Sequence, residues 1–278
     1  MALRRAVELR NAAGIHRTWP LNIFDFAGNH LKLRVQFFAG PSFEGMFAKE
    51  QNTILVPSER PQGRRAYSAA HEVGHWAFGH GSQIDEIGMG EKYNDKPEER
   101  LVNLFAGYLL MFPAAVDTAL QELSVNLSKP TAASIYRLAC WFGVGYTTII
   151  NHLRWTLGKL SSANSEILLR VELKTIRRTF SPSVETRHIF VASSVSPRTP
   201  IDLEVGDHVL FPKKVRWQNK CLAGIEENEN GFLVEAVRSG ISLVSNENGW
   251  SCAVRVMNRG FTGWAKYRHL ENEESNDD

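Results

Sequence analysis

The chain has 278 residues, 43% of them hydrophobic and 22% charged, and its formal net charge is +2 at pH 7. This composition is ordinary for a soluble globular protein with room for two domains, and it gives no general attraction to nucleic acid or membrane. Its three cysteines form no close pair, which excludes a disulfide framework and a cysteine-based zinc ribbon.

Two segments decide the expected location of the chain. Residues Met1 to Arg10 lack the apolar stretch of a secretory signal. The longest apolar run, Leu104 to Val116, is too short to cross a membrane and is interrupted by Pro113. We therefore expect a cytoplasmic protein with no membrane association.

Apolar periodicity predicts the elements of the N-terminal region. Residues 3–12 and 22–30 are predicted to be helical, and residues 31–38 alternate like a strand. Residues 44–48 and 53–57 predict a β-hairpin around Glu50-Gln51-Asn52.

The next segment contains the pentapeptide His71-Glu72-Val73-Gly74-His75. On a helix, positions i and i+4 share one face, so His71 and His75 could bind the same metal ion. Glu72 could then accept a proton from a water bound to such an ion. The alternative is a pair of core histidines beside a buried Glu. That alternative is disfavoured, because burying these three groups without a shared partner is costly.

The third ligand distinguishes the classes of metallopeptidase that carry this motif. The His-rich class has a third His at the position of Gly81 and a Gly at that of Phe78, and His80 is one residue short. The sequence therefore disfavours that class. The other large class takes a Glu from a later helix. Residues 97–112 predict such a helix, on which Glu99 would ligate the metal.

Two polar residues near Glu99 could also belong to the site. Asn103, one turn further along, could orient a ligating His. Glu98 is the alternative ligand, although a solvated carboxylate in the first helical turn fits it better.

Several separated blocks of the sequence resemble those of the ImmA/IrrE metallopeptidase family, and they occur in the same order. These blocks are Gly45-Met46-Phe47, Thr53 to Pro57, Arg64 to Trp76, and Glu99 to Met111. Two departures lie beyond Glu99: Val102 replaces a small Ala, and the usual Leu-Leu-Met-Pro is lengthened by Phe112.

The resemblance covers roughly residues 1 to 157 and implies both a fold and a function. It implies an α+β, gluzincin-like peptidase domain and an intracellular, bacterial zinc enzyme that cleaves helix-turn-helix repressors, which derepresses mobile-element or stress-response genes. Manganese or iron could replace zinc.

A helix-turn-helix pattern follows at residues 131–158. A small Ala139 precedes the turn residue Gly143, and apolar positions continue on the next helix. Because positive charge is sparse there, packing or docking of a helix-turn-helix substrate is favoured over DNA contact.

Beyond a predicted linker at residues 159–165, the pattern changes to short strands. Residues 167–173 and five later segments are predicted to form a small, mainly β domain. The expected organisation is a peptidase domain at 1–130, a helical segment at 131–158, a β domain of open role at 165–271, and a disordered acidic tail at 272–278.

Three questions stay open at this point. The oxyanion donor could be Tyr67, His80, Tyr93 or Tyr108. One strand of the predicted hairpin could hold substrate by strand addition, or it could be a structural sheet edge. The alternative to an enzyme is a non-catalytic, metal-binding transcription regulator or repressor-binding partner.

Overall fold

The computed structural model describes residues 1–40, 43–80, 84–86, 96–182, 185, 187–193 and 199–270. The chain divides into two compact units. The first comprises residues 1–176 and 262–266, and the second comprises residues 177–261 and 267–278. The predicted acidic tail lies outside the described residues.

Helices form most of the first unit. They are α1 (Ala2–Ala12), α2 (Ile23–Asp25), α3 (Gln62–Phe78), α4 (Pro97–Leu110), α5 (Pro113–Glu122), α6 (Ala132–Phe142), α7 (Tyr146–Asn151), α8 (Ser162–Leu169) and α9 (Leu173–Phe180), the last of which runs into the second unit. Phe26–His30 and His152–Thr156 are π-helical extensions of α2 and α7. The helices predicted at residues 3–12, 22–30 and 97–112 are confirmed.

The sheet of the first unit has the strand order β13-β1-β3-β2-β4. Its strands are β1 (Arg34–Phe38), β2 (Phe43–Ala48), β3 (Thr53–Pro57), β4 (Ile84–Glu86) and the late strand β13 (Gly263–Trp264). β1 and β3 are parallel, whereas β2 is antiparallel to both β3 and β4. The predicted hairpin is therefore confirmed as β2 and β3.

Along most of β2 the hairpin is paired on both sides in the described sheet. β3 lies between β1 and β2, and β4 covers β2 along Phe43 to Met46. The hairpin is therefore not a sheet edge along Phe43 to Met46, and the hypothesis that one of its strands pairs with substrate stays a prediction. Among the strands that the structure describes, β4 is the outermost on this side of the sheet, and the sequence did not indicate it.

The core of the first unit lies between this sheet and two helices. α3 packs on β2 and β3, and α4 packs on both α3 and α1. Fully buried apolar side chains of these elements include Phe37, Ile54, Ala69, Val102 and Phe105. Burial of such side chains is the main favourable term in folding.

Helices α6 and α7 form the predicted helix-turn-helix pattern. Thr131 caps α6 through a capping box with Ser134, and Gly143 ends it with φ +62°. The turn packs on the start of α3, since a Cβ on Gly63 would lie 2.5 Å from the backbone nitrogen of Gly145.

The prediction of a strand at residues 167–173 is wrong, because this stretch forms parts of α8 and α9. Ser161 begins α8, in the middle of the predicted linker, and its hydroxyl accepts the backbone N–H of Asn164. Leu168 is buried, but Ile167 and Leu169 on either side are exposed. A short apolar run does not distinguish strand from helix, and here the capping Ser is decisive.

The described strands of the second unit form two four-stranded sheets, ordered β5-β7-β10-β9 and β6-β12-β11-β8. Their bounds are β5 (Ile189–Val191), β6 (Ile201–Glu204), β7 (His208–Phe211), β8 (Arg216–Trp217), β9 (Leu222–Asn228), β10 (Gly231–Ala236), β11 (Gly240–Ser245) and β12 (Ser251–Met257). Val209 and Val234 of one sheet share a buried cluster with Val244 and Val254 of the other. The α+β class of the protein is thus confirmed.

No single described helix is long and apolar enough to cross a membrane. Helices α4 and α5 meet the length and composition criteria only as a pair, which bends by 42° at its break.

Candidate metal centre

Helix α3 carries three of the predicted site residues on its buried side. The helix ends at Gly79, whose left-handed conformation (φ +74°) suits a residue without a side chain. His71, Glu72 and His75 are 7%, 1% and 1% exposed. Imidazoles and a carboxylate are seldom buried so deeply unless they share a partner.

Helix α4 brings Glu99 to the same place. Pro97 starts the helix, so Glu98 and Glu99 both fall in its first turn. Glu98 is exposed to solvent, whereas Glu99 is only 1% exposed. The structure therefore directs Glu99 inward and leaves Glu98, the alternative ligand, outside.

Close packing of α3 and α4 makes this approach possible. A Cβ on Gly74 would lie 3.0 Å from Cβ of Val102 and 3.1 Å from Cδ1 of Phe105. Gly74 therefore leaves room for Val102, which stands where the ImmA/IrrE family usually has a smaller Ala.

Three potential ligand atoms converge between the two helices. The Nε2 atoms of His71 and His75 are 3.0 Å apart. The Glu99 carboxylate oxygens lie 3.2 Å from His71 Nε2 and 3.6 Å from His75 Nε2. Two ligands of one tetrahedral zinc ion are separated by roughly 3.3 Å. The spacing and the two-nitrogen, one-oxygen donor set therefore fit a metal ion.

No other group of three or more His, Cys, Asp or Glu side chains in the described part of the chain converges in this way.

Hydrogen bonds orient the ring of His71. Its Nδ1 lies 3.0 Å from Asn103 Oδ1, so Nδ1–H donates to the amide oxygen and Nε2 is left facing Glu99. Asn103 is held in turn by Tyr67, whose hydroxyl donates to the Asn103 backbone carbonyl at 3.2 Å. Burial raises the pKa of Tyr67 to about 12, which keeps its hydroxyl protonated as a donor.

Glu72 lies against the sheet at a position where a side chain would not fit. A Cβ on Gly45 of β2 would be 2.8 Å from Glu72 Oε1 and 3.3 Å from its Cγ. The adjoining Glu44 ties β2 to α3, since Arg64 donates to both of its carboxylate oxygens at 2.6 and 2.9 Å. Bidentate pairs of this kind fix orientation as well as distance.

The candidates for the oxyanion donor have other contacts. The Tyr67 hydroxyl donates to the backbone carbonyl of Asn103. The ring of Tyr108 packs edge-on against His152, and the ring of His80 contacts that of His75. Tyr93 lies outside the described residues. Sequence reasoning missed the contacts of Gly45 with Glu72 and of His80 with His75. The second contact depends on the left-handed turn at Gly79, which brings His80 back to His75.

Comparison with known proteins identifies the region that contains this cluster. Residues 29–154 match the model of a peptidase family described as the IrrE N-terminal-like domain. Over these residues the chain is similar to this family. The predicted ImmA/IrrE resemblance is thereby confirmed, and the IrrE N-terminal-like region contains His71, Glu72, His75, Glu99 and Asn103.

Other comparisons add little. No curated protein matches the chain. A solved structure described as a Mycobacterium tuberculosis transcriptional regulator is similar at 18% identity and a TM-score of 0.37, with 55% of this chain and 46% of that chain covered. The chain thus spans less than half the length of that regulator.

Proposed function

We propose that the protein is a zinc-dependent endopeptidase with a gluzincin-type site, in which His71, His75 and Glu99 hold the ion. The observation that carries this proposal is the convergence of three buried ligand atoms within a peptidase-family region. Two imidazoles and one carboxylate are a ligand set of catalytic zinc, which keeps one further position open. Manganese and iron are the alternatives.

A bound ion would polarise a peptide carbonyl and make water more acidic. In the proposed mechanism Glu72 accepts the proton of the attacking water and delivers it to the leaving nitrogen. Burial of Glu72 against Gly45 keeps its carboxylate in one place, one residue from the ligand His71. Asn103 and Tyr67 keep Nε2 of His71 directed at the site.

The proposed substrate is a helix-turn-helix repressor in the cytoplasm, and its cleavage would derepress mobile-element or stress-response genes. The support for this substrate is the family resemblance. In this proposal residues 1–130 are the peptidase domain, residues 131–158 contribute to substrate docking, and residues 165–271 recruit substrate or sense a signal.

The exposed surface of the helix-turn-helix segment supports a protein partner over DNA. Thr147, Asn151 and Trp155 are exposed along its second helix, and Trp155 is 70% exposed. Arg154 is engaged internally, with Ser165 Oγ at 3.0 Å. Tryptophan is typical of protein interfaces, whereas DNA binding requires cations that face phosphates.

The decisive test is cleavage of a purified repressor encoded beside this protein's gene. We expect wild-type protein reconstituted with zinc to cleave it. Glu72→Gln should keep the metal but lose at least 100-fold in rate, because a general base contributes about 10²–10⁴-fold. Glu98→Gln, which changes an exposed acid near the site, is the matched control and should cleave normally. Equal cleavage by Glu72→Gln and wild type would refute the assignment of the base.

A non-catalytic regulator or repressor-binding partner is distinguished in the same assay. Such a protein would form a stable complex with the repressor in the presence of zinc and leave the repressor intact. Glu72→Gln would then behave like wild type.

A further inference from the structure

A second histidine pair lies beside the proposed ligands. His80 follows Gly79, the left-handed residue that ends α3, and its backbone N–H donates to the carbonyl of His75 at 3.0 Å. This turn folds the chain back, so that the rings of His75 and His80 lie 5.1 Å apart at 62°. Their Nδ1 atoms are separated by 3.0 Å. His80 is therefore attached to His75 through both its backbone and its ring.

The positions of protons in this pair follow from hydrogen-bond chemistry. Two ring nitrogens at 3.0 Å share one hydrogen, so one donates and the other accepts. His75 Nε2 faces His71 and Glu99, where a ligand nitrogen must carry no proton. A neutral His75 then carries its proton on Nδ1 and donates it to Nδ1 of His80.

We propose that His80 is a positioning residue of the metal centre. Its Nδ1 accepts the Nδ1–H of His75 and so fixes the tautomer and ring orientation that present His75 Nε2 to the ion. This inference rests on the proposed function, since it assigns a role toward the same metal.

The two ligand histidines are then oriented in parallel ways. Asn103 of α4 accepts from His71, and His80 at the end of α3 accepts from His75. Both acceptors are neutral, so they fix the rings without adding negative charge to the single carboxylate of Glu99. Acceptors of this kind typically contribute 10- to 100-fold to metal affinity.

The test measures zinc affinity of the full-length chain by competition with a chromogenic chelator. His80→Phe keeps a ring of similar size but cannot accept a hydrogen bond, and we expect it to bind zinc 10- to 100-fold more weakly than wild type. His80→Asn places an acceptor oxygen the same number of bonds from the backbone as Nδ1, and should recover at least part of this loss. His30→Phe, on the exposed end of the π-helix after α2, is the matched control and should bind like wild type.

A second readout reports the tautomer itself. The zinc-loaded wild-type protein is examined by two-bond proton–nitrogen NMR. His75 should show a protonated Nδ1 that is hydrogen-bonded to the imidazole of His80. This signal should disappear in His80→Phe. If that variant does not fold by circular dichroism, His80→Ala takes its place in both measurements.

Two results would overturn the proposal: wild-type affinity in His80→Phe, or an equal loss in His80→Phe and His80→Asn, because equal loss means that the ring only packs. Absence of zinc binding by wild type is a different result. It would remove the proposed function itself, and the role of His80 with it.

Discussion

Glu72 fits at the candidate site because Gly45, on the neighbouring strand β2, has no side chain. The hypothetical Cβ on Gly45 lies 2.8 Å from Glu72 Oε1, inside van der Waals contact. Arg64 and Glu44 connect the strand to α3 beside this contact. A methyl group at residue 45 must therefore displace the carboxylate.

We predict that Gly45→Ala separates metal binding from catalysis. The three atoms nearest to the added methyl all belong to Glu72 and none to the proposed ligands, so metal content should stay that of wild type. The rate of repressor cleavage should fall about 100-fold, the usual effect of misplacing a catalytic group by roughly 1 Å. Metal analysis and cleavage assays on the same preparation check this, and an unchanged rate would show that Glu72 does not need this position.

The residues of the site differ in how far sequence alone could identify them. His71, Glu72 and His75 follow from helical spacing within one segment. The choice of Glu99 over Glu98 follows from the small, more polar stripe that Glu99 shares with Asn103 and Ala106 on a second segment. The contact of Gly45 with Glu72 depends on the packing of a strand on a helix. No local pattern encodes that packing, so it became visible only in the structure.

At the scale of elements, α4 matters because it brings Glu99 to α3. Its C-terminal end is held by Arg10 of α1, which donates to the carbonyl of Leu109 at 2.8 Å and also to the carbonyls of His16 and Trp19. Carbonyls in the last turn of a helix have no partner within the helix. Burial lowers the pKa of Arg10 to about 10, so the guanidinium stays charged at neutral pH.

We predict that Arg10→Met destabilises the protein by about 2 kcal/mol. The lost hydrogen bonds leave buried carbonyls without donors, at about 1–3 kcal/mol each, and relief from burying a charge offsets part of this cost. The free energy of unfolding in urea, measured with chelator present, checks the value. Arg4→Met, which changes a side chain that is 87% exposed, is the control and should stay close to wild type.

Elements were predictable where a pattern was long or was marked at its ends. The alternation and turn residues of β2 and β3, and the Pro and Gly that bound α4 and α3, correspond to the observed elements. The strand prediction for residues 167–173 is wrong because their apolar run is too short to distinguish the period of a strand from that of a helix. β4 and β8 have only three and two residues, so they exist through pairing with neighbours and leave no sequence signal.

At the scale of the whole molecule, both units contain buried histidines that resist protonation. Burial lowers the pKa of His152 in the first unit and of His188 and His269 in the second, each to about 4. His152 Nε2 also donates to the carbonyl of Met111 at 2.9 Å, which suits a neutral ring. Free histidine titrates near 6.5, so between pH 6.5 and 4 the unfolded chain binds protons that the folded chain does not.

We predict that stability decreases as the pH falls through this window. His152→Gln keeps a donor for Met111 but removes one titrating group. Its free energy of unfolding should therefore depend less steeply on pH, by up to about 1.4 kcal/mol per pH unit. Urea unfolding at pH 7, 6 and 5 measures the slope, and a slope equal to that of wild type would contradict a neutral, buried His152.

The second unit contains a buried carboxylate that pairs with arginines. Asp202 is buried with Arg255 and Arg268, the latter at 3.1 Å. Burial alone would raise the pKa of Asp202, but Arg268 and Arg255 outweigh it and hold that pKa well below its usual range. The single carboxylate of Asp202 thus pairs with two guanidinium groups. These pairs connect β6 and β12 to Arg268 within the second unit.

The central claim, a metal ion held by His71, His75 and Glu99, is tested most directly by the metal content of purified protein. We predict about one zinc per chain in wild type, in Glu72→Gln and in Glu98→Ala, and a loss of zinc in His75→Ala and Glu99→Ala. Glu98→Ala and Glu99→Ala are matched, since they remove neighbouring acids in the same helical turn. Wild-type protein that holds no metal after reconstitution with zinc, manganese or iron would contradict the claim, as would loss in Glu98→Ala with retention in Glu99→Ala.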